Sequence, residues 1–209
     1  MKTNLYAITD SQLLPDEKLF YAVADALKGG CKLVQYRDKS TDRTRRLSDA
    51  KHLLNLCNQY QAQLLINDDV ELARDVGAHG VHLGQGDTSP IAARLILGSS
   101  AIIGVTCHDS LELARQAIKD SANYIAFGRF FPSNTKPDAR PAPISLISEA
   151  RAHFGQIPIT VIGGITLENG KQLLDAGADM LAVCHSLFSA DDISAQAKKF
   201  IELSFQHQD

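Results

Sequence analysis

Short apolar runs and longer amphipathic stretches alternate along the whole chain, and that alternation narrows the fold more than any single motif does. The apolar runs predict strands at Leu5–Thr9, Lys32–Tyr36, Gln63–Asn67, Gly80–Leu83, Ala101–Thr106, Tyr124–Phe127, Ile159–Ile162 and Met180–Val183. Helical spacing between them predicts helices near Asp16–Lys28, Arg43–Gln59, Val70–Val76, Ile91–Leu97, Leu111–Ile118, Ser145–His153 and Leu167–Asp175. A last helix near Asp192–Phe205 keeps Ile193, Ala197, Phe200, Ile201 and Phe205 on one face. Ser89-Pro90, Ser110 and Thr166 stand where N-caps belong. A weak echo of helix stop, tight turn and buried strand recurs at Gly29–Val34, Gly77–His82, Ser121–Ala126 and Gly177–Ala182, with glycine suited to the left-handed stop. Strict β-α alternation means parallel strands joined by crossover helices. Eight unbroken units favour a closed (β/α)8 TIM barrel over an open doubly wound sheet. At 209 residues the chain sits at the small end of the ~200 to 400 range for that fold. No linker or low-complexity tract interrupts it, so residues 1–209 read as one domain.

Bulk properties exclude several classes of function. A net charge of -3 offers no basic field for nucleic acid or an anionic membrane. No apolar run approaches the ~20 residues of a membrane helix, and the first residues do not form a secretory signal. Cys31, Cys57, Cys107 and Cys184 lie far apart with no C-x-x-C pair, which points to reduced thiols and a cytoplasmic protein.

In a barrel of this kind, chemistry gathers where the strands end. After the second strand Gln35, Arg37 and Lys39 alternate and so share one face, offering an amide and two cations to a phosphate or diphosphate. The competing reading is a solvated basic turn beside Asp38 and Asp42. Asn67-Asp68-Asp69 follows the third strand, where one aspartate must cap the next helix. Asp87 follows the fourth, in a Gly84-Gln85-Gly86-Asp87 turn that lets backbone approach a ligand. Asp87 can be a turn residue, but carboxylates on neighbouring strand ends facing Arg and Lys suit Mg²⁺ held against a diphosphate.

The sixth strand ends in glycine and opens into Phe130-Phe131-Pro132-Ser133-Asn134-Thr135-Lys136, hydroxyls and a lysine where a phosphate could sit. Gly163-Gly164-Ile165-Thr166 and Cys184-His185-Ser186 follow the last two strands, which supply backbone donors to a monophosphate in phosphate-binding barrels. Two anion sites with a metal between them suggest two phosphorylated small molecules and a transfer reaction. Cys107-His108 and Cys184-His185 imitate a zinc set, but strand neighbours point to opposite faces. His82 reads as a satisfied core or rim histidine. No Gly-x-Ser-x-Gly elbow, Walker loop or dinucleotide fingerprint occurs, and no residue reads as an activated nucleophile.

Six motifs in order resemble the thiamine phosphate synthase (thiamine-phosphate pyrophosphorylase) family nearly end to end. They are Gln35–Lys39, Leu65–Asp69, Gly80–Gln85 with Asp87, Ile103–Thr106, Gly128–Lys136 and Val161–Ile165. The resemblance implies a Mg²⁺-dependent coupling of 4-amino-5-hydroxymethyl-2-methylpyrimidine diphosphate with 4-methyl-5-(2-phosphooxyethyl)thiazole. Diphosphate would depart first, leaving a pyrimidine carbocation that the thiazole nitrogen then attacks. By position, Gln35, Arg37, Lys39, Asn67, Thr106 and Lys136 would hold the pyrimidine diphosphate, with Tyr36 and Asp38 in the same motif. Ser133, Asn134, Thr135, Gly164 and the Cys184-His185 backbone would hold the thiazole phosphate. Arg37, Lys39, Thr106 and Lys136 would act on the departing group, and Asp68 and Asp87 would bind Mg²⁺. The resemblance also implies a homodimer.

Some positions depart from the family pattern. Ser133 stands where threonine is usual, Thr106 where serine is usual, and His185 where serine is usual beside the thiazole phosphate. Gly86 replaces a commonly acidic residue, and Ile144 a common glycine. A thiazole tautomerase-like relative is the nearest alternative, although it generally lacks the diphosphate set present here. A non-catalytic binder of thiamine precursors and a phosphosugar-type barrel enzyme are the others.

Overall fold

A computed structural model describes residues 4–132 and 141–204. The chain runs β1 (Leu5–Ile8), α1 (Lys18–Lys28), β2 (Leu33–Tyr36), α2 (Arg43–Gln59), β3 (Gln63–Asn67), α3 (Val70–Val76), β4 (Gly80–Leu83) and α4 (Pro90–Leu97). It continues through β5 (Ile102–Thr106), α5 (Leu111–Lys119), β6 (Tyr124–Gly128), α6 (Ser145–Phe154), β7 (Ile159–Ile162) and α7 (Leu167–Asp175). β8 (Met180–Val183), one helical turn α8 (His185–Phe188) and α9 (Ile193–Glu202) complete it. The strands pair in parallel in sequence order and β8 returns to β1, closing the barrel.

The strand and helix expectations hold to within a few residues, and α8 is the one described helix the periodicity did not announce. The caps explain several boundaries. The hydroxyls of Ser89 and Ser110 accept from the backbone N–H groups of Ala92 and Leu113, at 3.3 and 3.2 Å. Thr166 N–H donates to Asn169 Oδ1 at 2.8 Å, and Asp192 caps α9 through Ala195 N–H at 2.8 Å. At the turn before β6 the echo has serine in place of glycine, and Ser121 itself takes φ +67. No helix among the described residues is long and apolar enough to cross a membrane.

Alternation sorts the strand residues into two cores. Leu5, Val34, Leu64, Val81, Ile103, Ile125, Val161 and Leu181 face the helices, buried with Leu53, Phe188 and Phe200. The lumen holds Tyr6, Ile8, Leu33, Leu65, Tyr124, Ala126, Met180 and Ala182. At the N-terminal face two arginines tie loops together. Arg94 donates to the carbonyls of Gly98, Ser99, Ala101 and Ser121, and Arg151 to those of Gly155, Ile157 and Gly177.

The lumen is wide enough for Tyr124 only because β5 carries a glycine beside it. A Cβ at position 104 would lie 1.9 Å from Cζ of Tyr124, whose ring is fully buried and has nowhere to withdraw. Gly104→Ala is therefore expected to cost at least about 1–3 kcal/mol, the usual range for overpacking a filled core. Urea denaturation checks this; a variant as stable as the parent would show that the lumen can repack.

Candidate active site

The polar residues converge where the strands end, and β2 supplies the first of them. Gln35 points into the lumen, 2% exposed, with Nε2 donating to the Tyr6 hydroxyl at 2.6 Å. Arg37 sits at the rim. Its backbone N–H donates to Thr9 Oγ1 at 2.9 Å, and its Nη1 donates to Asp10 Oδ2 at 2.9 Å. The other Asp10 oxygen accepts from Gln12 and Leu13 N–H at 3.0 and 3.3 Å, so the β1–α1 loop anchors the arginine's partner. Lys39 reaches across to an ion pair with Asp68.

Tyr36 and Asp38, which the motif grouped with the substrate set, have side chains that reach partners on α2. The Tyr36 hydroxyl donates to Asp49 at 3.2 Å, and Asp38 accepts from Arg45 Nη2 at 2.7 Å and Ser40 N–H at 2.7 Å. Burial alone would raise the Asp38 carboxyl, but the Ser40 hydrogen bonds and the Arg45 charge outweigh it and hold it below the usual range. These two side chains brace the loop that presents Arg37 and Lys39.

After β3 the two aspartates divide the work that the sequence left unassigned. Asp69 caps α3, accepting from Leu72 N–H at 2.9 Å, and pairs with Arg46 at 2.9 Å. Asp68 is left for the mouth, in the left-handed region at φ +62, with its N–H donating to the His82 carbonyl at 2.8 Å. Asp38, Lys39, Ser40, Arg46, Asn67, Asp68 and Asp69 line a cleft of about 270 Å³. A larger cleft of about 360 Å³ lies on the flank of α2, among His52, Asn55, Leu56 and Gln59, and gathers none of this charge.

Asp87 comes in from β4 and faces Asp68. Its Oδ2 accepts from Gly84 N–H at 2.7 Å, so the turn reading and the site reading are both true of it. Burial and the hydrogen bond shared with Asp68 hold the Asp87 carboxyl above its usual range. For Asp68 burial acts upward too, but the Lys39 ammonium and Asp87 bring it below. Two hard-oxygen groups facing each other next to a lysine are a donor set that a divalent cation would suit.

Thr106, at the end of β5, hydrogen-bonds His82 Nε2 at 2.8 Å. Gly163 and Gly164 follow β7 with φ +104 and +62, and a Cβ on Gly164 would lie 2.3 Å from the Pro132 carbonyl oxygen. Their conformation and the close seating of the Phe131-Pro132 segment both need glycine. Cys184 caps α8 and His185 is exposed at its start. Burial, with Asp10 nearby, pushes the Cys184 thiol up to about 12, and burial does the same to Cys107, so neither is a thiolate nucleophile. The side chain of Ile162 points into the mouth and is 36% exposed, an apolar floor among the charges. Ser133, Asn134, Thr135 and Lys136 lie outside the described residues.

Residues 5–187 match the model of the family described as thiamine monophosphate synthase. The chain is 51% identical over 209 residues to a thiamine-phosphate synthase of Saccharophagus degradans, covering 100% of this chain and 96% of that one. The chain belongs to the thiamine monophosphate synthase family. It is an enzyme of that family, a transferase of thiamine biosynthesis. The thiamine phosphate pyrophosphorylase from Pyrococcus furiosus has the same barrel, with a TM-score of 0.87 at 31% identity over 98% of this chain and 96% of that one. A 3-hexulose-6-phosphate synthase shares the fold alone, with a TM-score of 0.68 at 14% identity over 96% of this chain and 99% of that one.

The facing carboxylates of this family member make a stability prediction. Because the folded pKa of Asp87 is raised, the folded state holds that proton longer than the unfolded chain does. Stability from this group is present at low pH and lost as pH rises through the raised value. Asp87→Asn keeps an oxygen for the Gly84 N–H and removes the repulsion. Its melting temperature is expected to equal or exceed the parent's at neutral pH, the difference closing as pH falls. A lower melting temperature at neutral pH would contradict the facing-carboxylate geometry.

Proposed function

We propose that this synthase couples 4-amino-5-hydroxymethyl-2-methylpyrimidine diphosphate with 4-methyl-5-(2-phosphooxyethyl)thiazole, releasing diphosphate and thiamine phosphate. The observation that carries the reading is the charge arrangement at the mouth. Arg37 pairs with Asp10 at the rim, Lys39 pairs with Asp68, Asp68 and Asp87 face each other, and no thiolate or other activated nucleophile joins them among the described residues. Such a site stabilises a departing anion and positions a second reactant. The C–O bond to diphosphate breaks with its electron pair going to oxygen, and the thiazole nitrogen lone pair then forms the C–N bond to the methylene carbon.

Asp68 and Asp87 would hold Mg²⁺, which when bound supplies positive charge to the diphosphate oxygens. Both cations reach the diphosphate by exchanging partners, Arg37 from Asp10 and Lys39 from Asp68. Thr106 and Asn67 would add a hydroxyl and an amide from the ends of β5 and β3. Lys136 would join the diphosphate set, and Ser133, Asn134, Thr135, Gly164 and the Cys184-His185 backbone would take the thiazole phosphate. Ile162 offers an apolar surface for a flat ring. The full-length identity to a synthase favours this reading over a tautomerase-like enzyme, a precursor binder or a phosphosugar enzyme. We place the reaction in the cytoplasm, in keeping with free thiols, and take a homodimer as the working assembly.

The test is a coupling assay with both precursors, with and without Mg²⁺, followed by conversion of product to fluorescent thiochrome. Product that depends on Mg²⁺ is expected; a folded protein that binds a precursor and makes none would overturn the reading. Arg37→Ala is expected to lower kcat/KM at least about 100-fold, the scale of losing one charged donor to a developing anion. Its melting temperature should move little, because the Arg37–Asp10 pair sits at the rim. A loss under about threefold would remove Arg37 from the diphosphate site.

A further inference from the structure

We infer that Tyr6, Tyr124 and His82 are positioning residues for the reaction: their hydrogen bonds run in one direction through the lumen and turn the hydrogen of the Thr106 hydroxyl outward, into the mouth. This deepens the proposed function and rests on it only for the identity of the substrate. The chain of contacts crosses the barrel from β2 to β5. Gln35 Nε2 lies 2.6 Å from the Tyr6 hydroxyl, which lies 2.9 Å from the Tyr124 hydroxyl. That hydroxyl lies 2.8 Å from His82 Nδ1, and His82 Nε2 lies 2.8 Å from Thr106 Oγ1.

Elementary donor counting fixes the direction. An amide nitrogen only donates, so the Tyr6 oxygen accepts from Gln35. Both tyrosines are 0% exposed, and among the described residues the Tyr6 hydroxyl meets only Gln35 and Tyr124. Its hydrogen therefore goes to Tyr124, since a buried hydroxyl left unpaired is costly. Tyr124, having accepted, donates to His82 Nδ1. A ring whose Nδ1 accepts carries its hydrogen on Nε2, and that hydrogen goes to Thr106. Burial holds both phenols above their ordinary range, so each keeps the hydrogen that the chain needs. The Thr106 hydroxyl, part exposed at the mouth, accepts from the ring and has its own hydrogen left for an oxygen of the diphosphate.

A purely structural role would leave the direction immaterial: the lumen would be satisfied with the bonds running either way. The directional role makes Thr106 an oriented donor to a group whose negative charge grows as the C–O bond breaks, where a donor set in advance is worth most. It also links the walls that would hold the two ends of one substrate, because the amide at one end fixes the hydroxyl at the other.

Two measurements test this on the full chain. The first uses protein labelled with ¹⁵N-histidine and no substrate, in which ¹⁵N shifts report which ring nitrogen of His82 carries hydrogen. Hydrogen on Nε2 is expected; hydrogen on Nδ1 would overturn the inference, whatever the activity. The second is a double-mutant cycle on kcat in the coupling assay. Thr106→Val and Tyr124→Phe are each expected to lower kcat about tenfold, the worth of one hydrogen bond. If Tyr124 acts through Thr106, the double variant is no slower than Thr106→Val alone. Losses that multiply would overturn the inference, as would a Tyr124→Phe variant with the parent's kcat. Should Tyr124→Phe fail to fold, the ¹⁵N measurement on the unaltered protein still decides. A parent protein that makes no thiamine phosphate would sink the proposed function and leave the tautomer result standing.

Discussion

Everything at the mouth of this barrel depends on how its lumen is filled. Eight short strands close around a space that side chains must pack, and here two tyrosines, Tyr6 and Tyr124, meet edge to face with ring centroids 6.0 Å apart. A phenol brings a hydroxyl wherever its ring goes, and a hydroxyl away from water needs a partner. Gln35 and His82 meet that need from β2 and β4, and Thr106 completes the series from β5. Gly104 makes it sterically possible by leaving its own side-chain volume to Tyr124. The packing of the interior and the placement of donors at the rim are thus one problem with one solution.

The charged rim follows a different rule: Arg37, Lys39, Arg45 and Arg46 each have a carboxylate partner. Arg37 rests on Asp10 and Lys39 on Asp68, while Arg45 and Arg46 are taken by Asp38 and Asp69. The pairs differ in what holds the carboxylate. Asp38 is buried and further bonded to Ser40, and Asp69 also caps a helix, so those pairs are scaffolding. Asp68 faces the Asp87 carboxyl, which is held above its usual range by burial and by Asp68, and Lys39 is largely exposed. On the proposed reading, that pair is the one that would open for a diphosphate and a metal ion.

The sequence was most legible where a single local rule decides. Periodicity alone located β3, β4, β7 and β8, and α2, α3 and α7, because each is a clean run between turn residues. It missed α8, since a single turn of four residues shows no period. The strand-end logic singled out Gln35, Arg37, Lys39, Asn67, Asp68, Asp87 and Thr106, which lie at or shortly after the C-terminal ends of β2, β3, β4 and β5. For Tyr36 and Asp38 the motif grouped with the substrate set two residues whose side chains find partners on α2. Asp10 and Arg46 were invisible because their roles lie in partners on other elements. Tyr6 and Tyr124 read as core residues, which they are, and nothing in a linear pattern says that their hydroxyls form one line.

That line bears on why this chemistry can proceed without a protein nucleophile. A reaction that breaks its C–O bond before making the new C–N bond asks for two things: charge opposite the departing anion, and fixed donors that need no rearrangement as the charge appears. The rim would supply the first, on the proposed reading, through Arg37 and Lys39, each now paired with a carboxylate. The lumen supplies the second through residues that have no freedom, since the hydroxyls of Tyr6 and Tyr124 are buried and each is bonded on both sides. A mobile cation set over a rigid donor is a division of labour that a single shell of surface residues could not achieve. It follows from placing the site at the open end of a packed barrel.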